Sequence, residues 1–145
     1  MDFELNEDQV AFADMATAFA RSELEPHAAK WDEESYFPVD VIRKAGEMGF
    51  ASLYSPEAVG GLGLSRLDSS IIFERLSMGC TSTTAYLTIH NMVTWMITSF
   101  AKQSVLDKYA ESLISAQALG SYCLTEPGSG SDAASLKTKA VRDGD

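Results

Sequence analysis

The sequence predicts a mainly α protein: an N-terminal helical domain of five or more helices, then the first one or two strands of a β domain. Three observations lead there. Apolar side chains recur at helical spacing over about the first 115 residues, caps and Gly or Pro punctuation divide that stretch into segments, and after Ala118 the period becomes that of a strand. At 145 residues, with 46% hydrophobic and 10% aromatic content, the chain has enough apolar surface for one packed core.

Asn6, with Gln9 three residues on, reads as a capping box, and Val10, Ala13, Ala16, Phe19, Ala20 and Leu24 follow at helical spacing up to Pro26. A short second helix begins at Phe37-Pro38, puts Ile42, Ala45 and Met48 on one face and stops at Gly49. Pro56 and Gly60-Gly61-Leu62-Gly63 force a loop. Ser65 and Asp68 form another capping box ahead of Leu67, Ile71, Ile72, Phe73 and Leu76. Thr81, Ser82 and Thr83 offer caps for the fourth helix. Its Tyr86, Leu87, Ile89, Met92, Val93, Trp95, Met96, Ile97 and Phe100 leave hardly any face polar, so burial on nearly all sides is expected. Ser104 with Asp107 opens the fifth helix, through Leu106, Tyr109 and Leu113.

Residues 118–124 then read as a buried strand, and 137–142 alternate with a period of two. Asp143-Gly144-Asp145 is a hairpin signal whose returning strand is not present. A sheet of one or two strands does not bury itself, so the chain is expected to break off inside a β domain. The switch of period divides the chain into 1–117, helical, and 118–145, the start of the β domain.

Twenty-one acidic against eleven basic side chains give a net charge of -10, which argues against nucleic acid, since affinity for it comes mainly from Lys and Arg on phosphates. Any phosphate-bearing ligand has to be held locally, by backbone N–H groups, hydroxyls or a helix N-terminus. Cys80 and Cys123 make no disulfide framework; each lies in an apolar stretch and reads as a small hydrophobe in a reducing compartment. The acidic opening Met1-Asp2-Phe3-Glu4-Leu5 is unlike a basic secretory or organellar leader, so no targeting segment is expected. Asn91, Thr94 and Thr98 interrupt the longest apolar stretch short of the roughly 20 residues of a membrane span. His27 and His90 have no Cys, Asp or Glu at ligand spacing, which argues against a metal site, and His90 reads as a hydrogen-bonded core residue.

The segment with chemistry in it is Tyr122-Cys123-Leu124-Thr125-Glu126-Pro127-Gly128-Ser129-Gly130-Ser131-Asp132. Glycines let backbone approach a ligand, and successive N–H groups and hydroxyls hold phosphate oxygens without any cation. Pro-Gly and Ser-Gly also mark ordinary surface turns, and composition alone leaves both readings open. The segment is neither a Walker loop, lacking the Lys-Ser or Lys-Thr pair, nor a G-x-G-x-x-G fingerprint.

These eleven residues resemble the flavin-binding signature of the acyl-CoA dehydrogenase family almost residue by residue. Leu5-Asn6-Glu7-Asp8-Gln9, Lys44-Ala45-Gly46-Glu47-Met48-Gly49-Phe50, Gly60-Gly61-Leu62-Gly63 and Gly79-Cys80-Thr81-Ser82 resemble further family landmarks, in family order. The likeness covers all 145 residues. Phe37-Pro38-Val39-Asp40-Val41, Gly63-Leu64-Ser65-Arg66-Leu67-Asp68, Thr81-Ser82-Thr83-Thr84-Ala85-Tyr86 and Ile89-His90-Asn91-Met92 look most like the branch acting on short, branched acyl groups.

The resemblance implies a helical domain, a middle β domain and a C-terminal four-helix bundle, usually as a homotetramer with one FAD per subunit. It implies that Tyr122, Cys123, Leu124, Thr125, Glu126, Gly128, Ser129, Gly130 and Ser131 meet FAD, and that Ser131 also meets the acyl-CoA. Thr84 and Thr88, one helical turn apart, fall where the family's helical domain borders the far end of the acyl pocket. Back-bonding to carbonyls of the preceding turn is the simpler reading of two helical threonines. The family's proton-abstracting glutamate belongs to the C-terminal domain, so no catalytic residue is expected here. Glu126, beside Pro-Gly, lacks the apolar burial that would make it a base. Electrons would pass to an electron-transfer flavoprotein. The compartment implied is a bacterial-type cytoplasm, or the mitochondrial matrix for a processed organellar protein. A non-catalytic binding module on the same fold and an acyl-CoA oxidase are the alternatives.

Overall fold

The computed structural model describes residues 4–144. Met1-Asp2-Phe3 of the acidic opening, and Asp145 of the hairpin signal, lie outside the described residues. Among the described residues there are six α-helices: α1 Glu7–Phe19, α2 Ala28–Glu33, α3 Val39–Glu47, α4 Arg66–Ser77, α5 Thr81–Phe100 and α6 Gln103–Ile114. Both capping boxes form. The Asn6 side chain accepts from Gln9 N at 2.8 Å while Gln9 Oε1 accepts from Asn6 N, and Ser65 and Asp68 reciprocate in the same way at the start of α4.

Two starts differ from expectation. Cys80, not Thr81, Ser82 or Thr83, is the N-cap of α5, and its side chain makes no capping bond. Lys102 is the N-cap of α6, because Asp107 accepts from the Gln103 amide at 2.7 Å and is not spent on Ser104. The first helix also does not run uniformly to Pro26. Beyond Phe19 it passes into a π-helical turn, Ala20–Leu24, with Glu25 N donating to Ala20 O at 2.8 Å, and α2 follows as a separate short helix.

α1 packs on α4, α4 on α5 and α5 on α6. Ala16, Phe19, Leu24, Ile42, Ala45, Phe50, Leu53, Ile72, Leu76 and Leu87 form the core, with Phe19 edge-on to Phe50 at 5.4 Å between ring centres. Helix α5 departs most from its pattern. Its buried stripe is largely polar, namely Thr83, Thr84, Leu87, His90, Asn91, Thr94 and Thr98, while Ile89, Met96 and Phe100 are exposed. The buried polar groups are satisfied. Thr84 and Thr98 hydroxyls donate to Cys80 O and Thr94 O, and Asn91 joins the 49–55 turns to the helix. Burial here follows hydrogen bonding and spacing as much as hydropathy.

The β expectation is corrected in part. Residues 118–124 and 137–142 belong to no sheet; among the described residues the bridge Glu126↔Ser129 is isolated. A strand is defined by a partner's ladder of backbone hydrogen bonds, and among the described residues neither stretch takes part in one. For the same reason Cys123 is exposed rather than buried in an apolar neighbourhood. Among the described residues no helix is long and apolar enough to cross a membrane.

Candidate functional site

After α6 the chain reverses at Ala116, which is fully buried with φ 55°, and returns past α5. Ala116 sits against Gly46 of α3, where an added Cβ would come within 2.4 Å of Ser115 O. At Gly120 the returning chain reaches α5 itself. Gly120 N donates to His90 Nδ1 at 3.1 Å, and Tyr86 Oη donates to Gly120 O at 3.2 Å. Beyond this point Tyr122, Cys123 and Thr125 are exposed, Leu124 is half-buried, and among the described residues the backbone of 121–125 makes no hydrogen bond.

Glu126 to Ser129 closes as a tight turn, with Glu126 N donating to Ser129 O at 2.9 Å and Ser129 N to Glu126 O at 3.1 Å. The Ser129 hydroxyl is buried and donates to Asp132 O at 2.5 Å. Gly128, Gly130 and Ser131 are exposed. A Cβ at either glycine would meet nothing within 4 Å, and among the described residues their N–H groups and that of Ser131 find no acceptor. Three exposed N–H groups left unpaired, interrupted by the bonded N–H of Ser129, are donors open to an anion.

Glu126 does something else. Its carboxylate accepts from Lys137 N at 2.8 Å, from Thr138 N at 2.7 Å and from the Thr138 hydroxyl, closing the segment 126–138 into a loop. These bonds, led by that of Thr138, hold the carboxyl below its usual range. A carboxylate so held is a loop tie and a poor proton acceptor.

Thr84 and Thr88 line an open groove of about 430 Å³ with Ser70, Phe73, Glu74 and Ser77 of α4. Both hydroxyls are turned onto carbonyls, Thr84 to Cys80 O at 2.9 Å and Thr88 to Ala85 O at 2.7 Å. The two threonines thus turn methyl groups rather than hydroxyls to the groove, beside the Phe73 ring, the Glu74 carboxylate and the Ser70 side chain. The groove contains no residue of 122–131. At 100° per residue, Thr84 and Thr88 lie on the side of α5 roughly opposite to Tyr86 and His90, so the helix stands between the groove and the loop.

Sequence reasoning took His90 as a core residue and did not join it to Gly120. His90 is fully buried, and its Nε2 lies 2.8 Å from Leu113 O. The visible signal is two ring side chains with polar atoms, Tyr86 and His90, one turn apart on an apolar helix. Burial pushes the His90 pKa down, and the Leu113 carbonyl opposes this only in part.

Residues 6–117 match the family model described as "Acyl-CoA dehydrogenase, N-terminal domain". The mitochondrial isobutyryl-CoA dehydrogenase of Bos taurus is 53% identical over 141 residues, which are 97% of this chain and 34% of the relative. The chain thus spans about a third of that relative's length. Among solved structures, a glutaryl-coenzyme A dehydrogenase in complex with glutaryl-CoA superposes with a TM-score of 0.86 at 29% identity, covering 94% of this chain and 35% of that one. The FAD complex of PigA gives 0.85 at 28% identity, covering 92% and 36%. By sequence over nearly its whole length, and by the fold of its six helices, this chain belongs to the acyl-CoA dehydrogenase family.

Proposed function

We propose that the chain is the N-terminal part of a flavoenzyme that removes hydrogen from the α and β carbons of a short, branched acyl-CoA. The observation that carries this is the loop 126–131, whose outward N–H groups at Gly128, Gly130 and Ser131 suit a pyrophosphate in a chain of net charge -10. The family implies FAD, and the relative of 53% identity acts, by its name, on isobutyryl-CoA. Bound FAD supplies the hydride acceptor.

The chain's own residues bind and orient. Gly128, Gly130 and Ser131 hold the pyrophosphate, while Ser129, whose N–H and hydroxyl are both spent within the loop, shapes the turn that presents them, and Tyr122, Cys123, Leu124 and Thr125 lie along the flavin. Ser131 also reaches the acyl-CoA, and the methyls of Thr84 and Thr88 limit the acyl end. Glu126 keeps the loop closed. The proton-abstracting glutamate comes from beyond these residues, with residues 1–117 one folding unit and the β domain beginning at 118. Electrons leave to an electron-transfer flavoprotein, from a homotetramer in the mitochondrial matrix or a bacterial cytoplasm.

The test is Ser131→Ala and Thr125→Ala in the full-length flavoprotein. One hydrogen bond to a phosphate corresponds to about tenfold or more, so Ser131→Ala raises the FAD dissociation constant or the KM for isobutyryl-CoA by about that factor and leaves kcat nearly unchanged. Thr125→Ala slows flavin reduction in single turnover, since a donor at the ring edge favours its reduced, electron-rich form. Wild-type flavin content, KM and reduction rate in both variants would return this loop to an ordinary surface turn.

A further inference from the structure

We infer that Tyr86 and His90 form a clamp on the Gly120 peptide which sets the position of the loop 122–131, making both residues positioning residues for the cofactor site. The inference rests on the cofactor reading above for its functional half and on geometry for the rest.

The two side chains grip one residue at both of its backbone groups. Gly120 N–H points to His90 Nδ1 at 3.1 Å, and Gly120 O receives the Tyr86 hydroxyl at 3.2 Å. A carbonyl only accepts, so the 2.8 Å contact with Leu113 O requires that His90 Nε2 carry the proton. Nδ1 is then the bare nitrogen, the form able to accept from Gly120. The imidazole is therefore neutral in a fixed tautomer, spanning from the end of α6 to the start of the loop. Thr94 Oγ1, one turn further along α5, stands 3.4 Å from the same Nε2.

The clamp is itself held. Phe37 meets the Tyr86 ring edge-on at 4.8 Å between ring centres, and His90 is fully buried. Gly120 is also pressed against α5, since a Cβ there would lie 2.8 Å from Val93 Cγ1. Tyr86, His90 and Val93 share one side of the helix. From Ser121 to Thr125 the chain is exposed except at half-buried Leu124, and among the described residues its backbone there makes no hydrogen bond. Of the backbone hydrogen bonds of residues 118–124, those at Gly120 are the last before the loop, and they set where the unpaired backbone begins. Because the same helix carries Thr84 and Thr88 on its other side, the clamp also fixes the spacing between the groove and the loop.

Two substitutions at one position separate this role from simple core filling. His90→Asn keeps an acceptor near the place of Nδ1 and gives up Leu113; His90→Gln keeps a donor near the place of Nε2 and gives up Gly120. Tyr86→Phe removes only the hydroxyl. Amide exchange at Gly120, measured by NMR on the 145-residue chain, is expected to speed about tenfold in Tyr86→Phe and His90→Gln, and to stay near wild type in His90→Asn. Amides of Ile72 and Leu76 should not change. In the full-length flavoprotein, the first two variants should release FAD about tenfold more readily, with His90→Asn again near wild type. Unchanged exchange at Gly120 in both, or equal acceleration at Ile72 and Leu76, overturns the clamp, as does a two-proton imidazole in the ¹⁵N spectrum of His90. Local exchange that speeds while FAD retention stays at wild type overturns the positioning role alone. A wild-type protein that binds no FAD would instead sink the cofactor reading and leave the exchange result standing.

Discussion

Asn91 uses nearly its whole amide: Oδ1 accepts from Leu53 N at 2.8 Å, and Nδ2 donates to Phe50 O at 2.7 Å and Leu87 O at 2.9 Å. Removing it leaves a buried N–H and a buried carbonyl of the 49–55 turns without partners, each costing about 1–3 kcal/mol. Asn91→Ala should therefore lower stability by about 2–4 kcal/mol in urea unfolding, and a loss under about 1 kcal/mol would contradict this account. His90 adds a pH dependence. Its folded pKa is lowered from 6.5 by burial, so in acid the unfolded chain takes up a proton that the folded chain refuses. Its contribution is full above the unfolded value of 6.5 and shrinks as pH falls below it. The melting temperature should decline from neutral pH towards acid, and His90→Asn should remove part of that slope. At this scale the sequence was half legible. Burial and hydrogen bonding of His90 followed from its place on an apolar helix, but its partner did not. Leu113 is 23 positions away and Gly120 is 30, distances that no local pattern spans.

Glycine 46 shows how elements constrain one another. Even where a helix gives alanine the better propensity, by about 1 kcal/mol in an interior, an alanine Cβ at this place in the last turn of α3 would lie 2.4 Å from Ser115 O and 2.8 Å from Ala116 Cβ. Both obstacles are backbone or its nearest carbon in a buried turn, so contact outweighs propensity. Gly46→Ala should unfold at lower denaturant than wild type; a rise in midpoint would show that the turn after α6 yields freely. Asn6→Ala should cost about 1 kcal/mol by loss of the cap. Helix starts were legible where the cap does reciprocate, at Asn6 with Gln9 and Ser65 with Asp68, whereas the same four-residue pattern at Ser104 and Asp107 forms no cap, its carboxylate being taken by Gln103. Cys80 and Lys102 offer no such signal, and the starts of α5 and α6 are set by the preceding chain. The two strands were legible as extended chain only, since pairing is a property of residues beyond the segment.

Across the whole molecule, apolar surface is left facing outwards. Phe100 is 73% exposed, Met78 67% and Leu67 64%, with Ile89 and Met96 along α5. The unpaired stretch from 121 to 125 adds a free strand edge. Apolar patches and open edges recruit partners, whereas the net charge of -10 opposes association. With salt screening that charge, the 145-residue chain should self-associate, so light scattering should show mass rising with concentration at high ionic strength. A monomer under those conditions would mean that the exposed side chains are too dispersed to act together. The same chain should show no turnover of isobutyryl-CoA with added FAD and an artificial electron acceptor. The family membership was legible because its landmarks are strung along the entire chain; which surfaces its helices leave uncovered was not, since exposure is decided by packing.

The π-helical turn Ala20–Leu24 amounts to one surplus residue wound into the end of the first helix. Gly79 lies against it, with space for a Cβ only 2.7 Å from Ala20 O. Winding the same residues as an ordinary α-helix, with none removed, would swing everything downstream by about 100°, taking Leu24 from the core to solvent. The excess is thus a phase correction, and a helix that looked more regular would fit this protein worse.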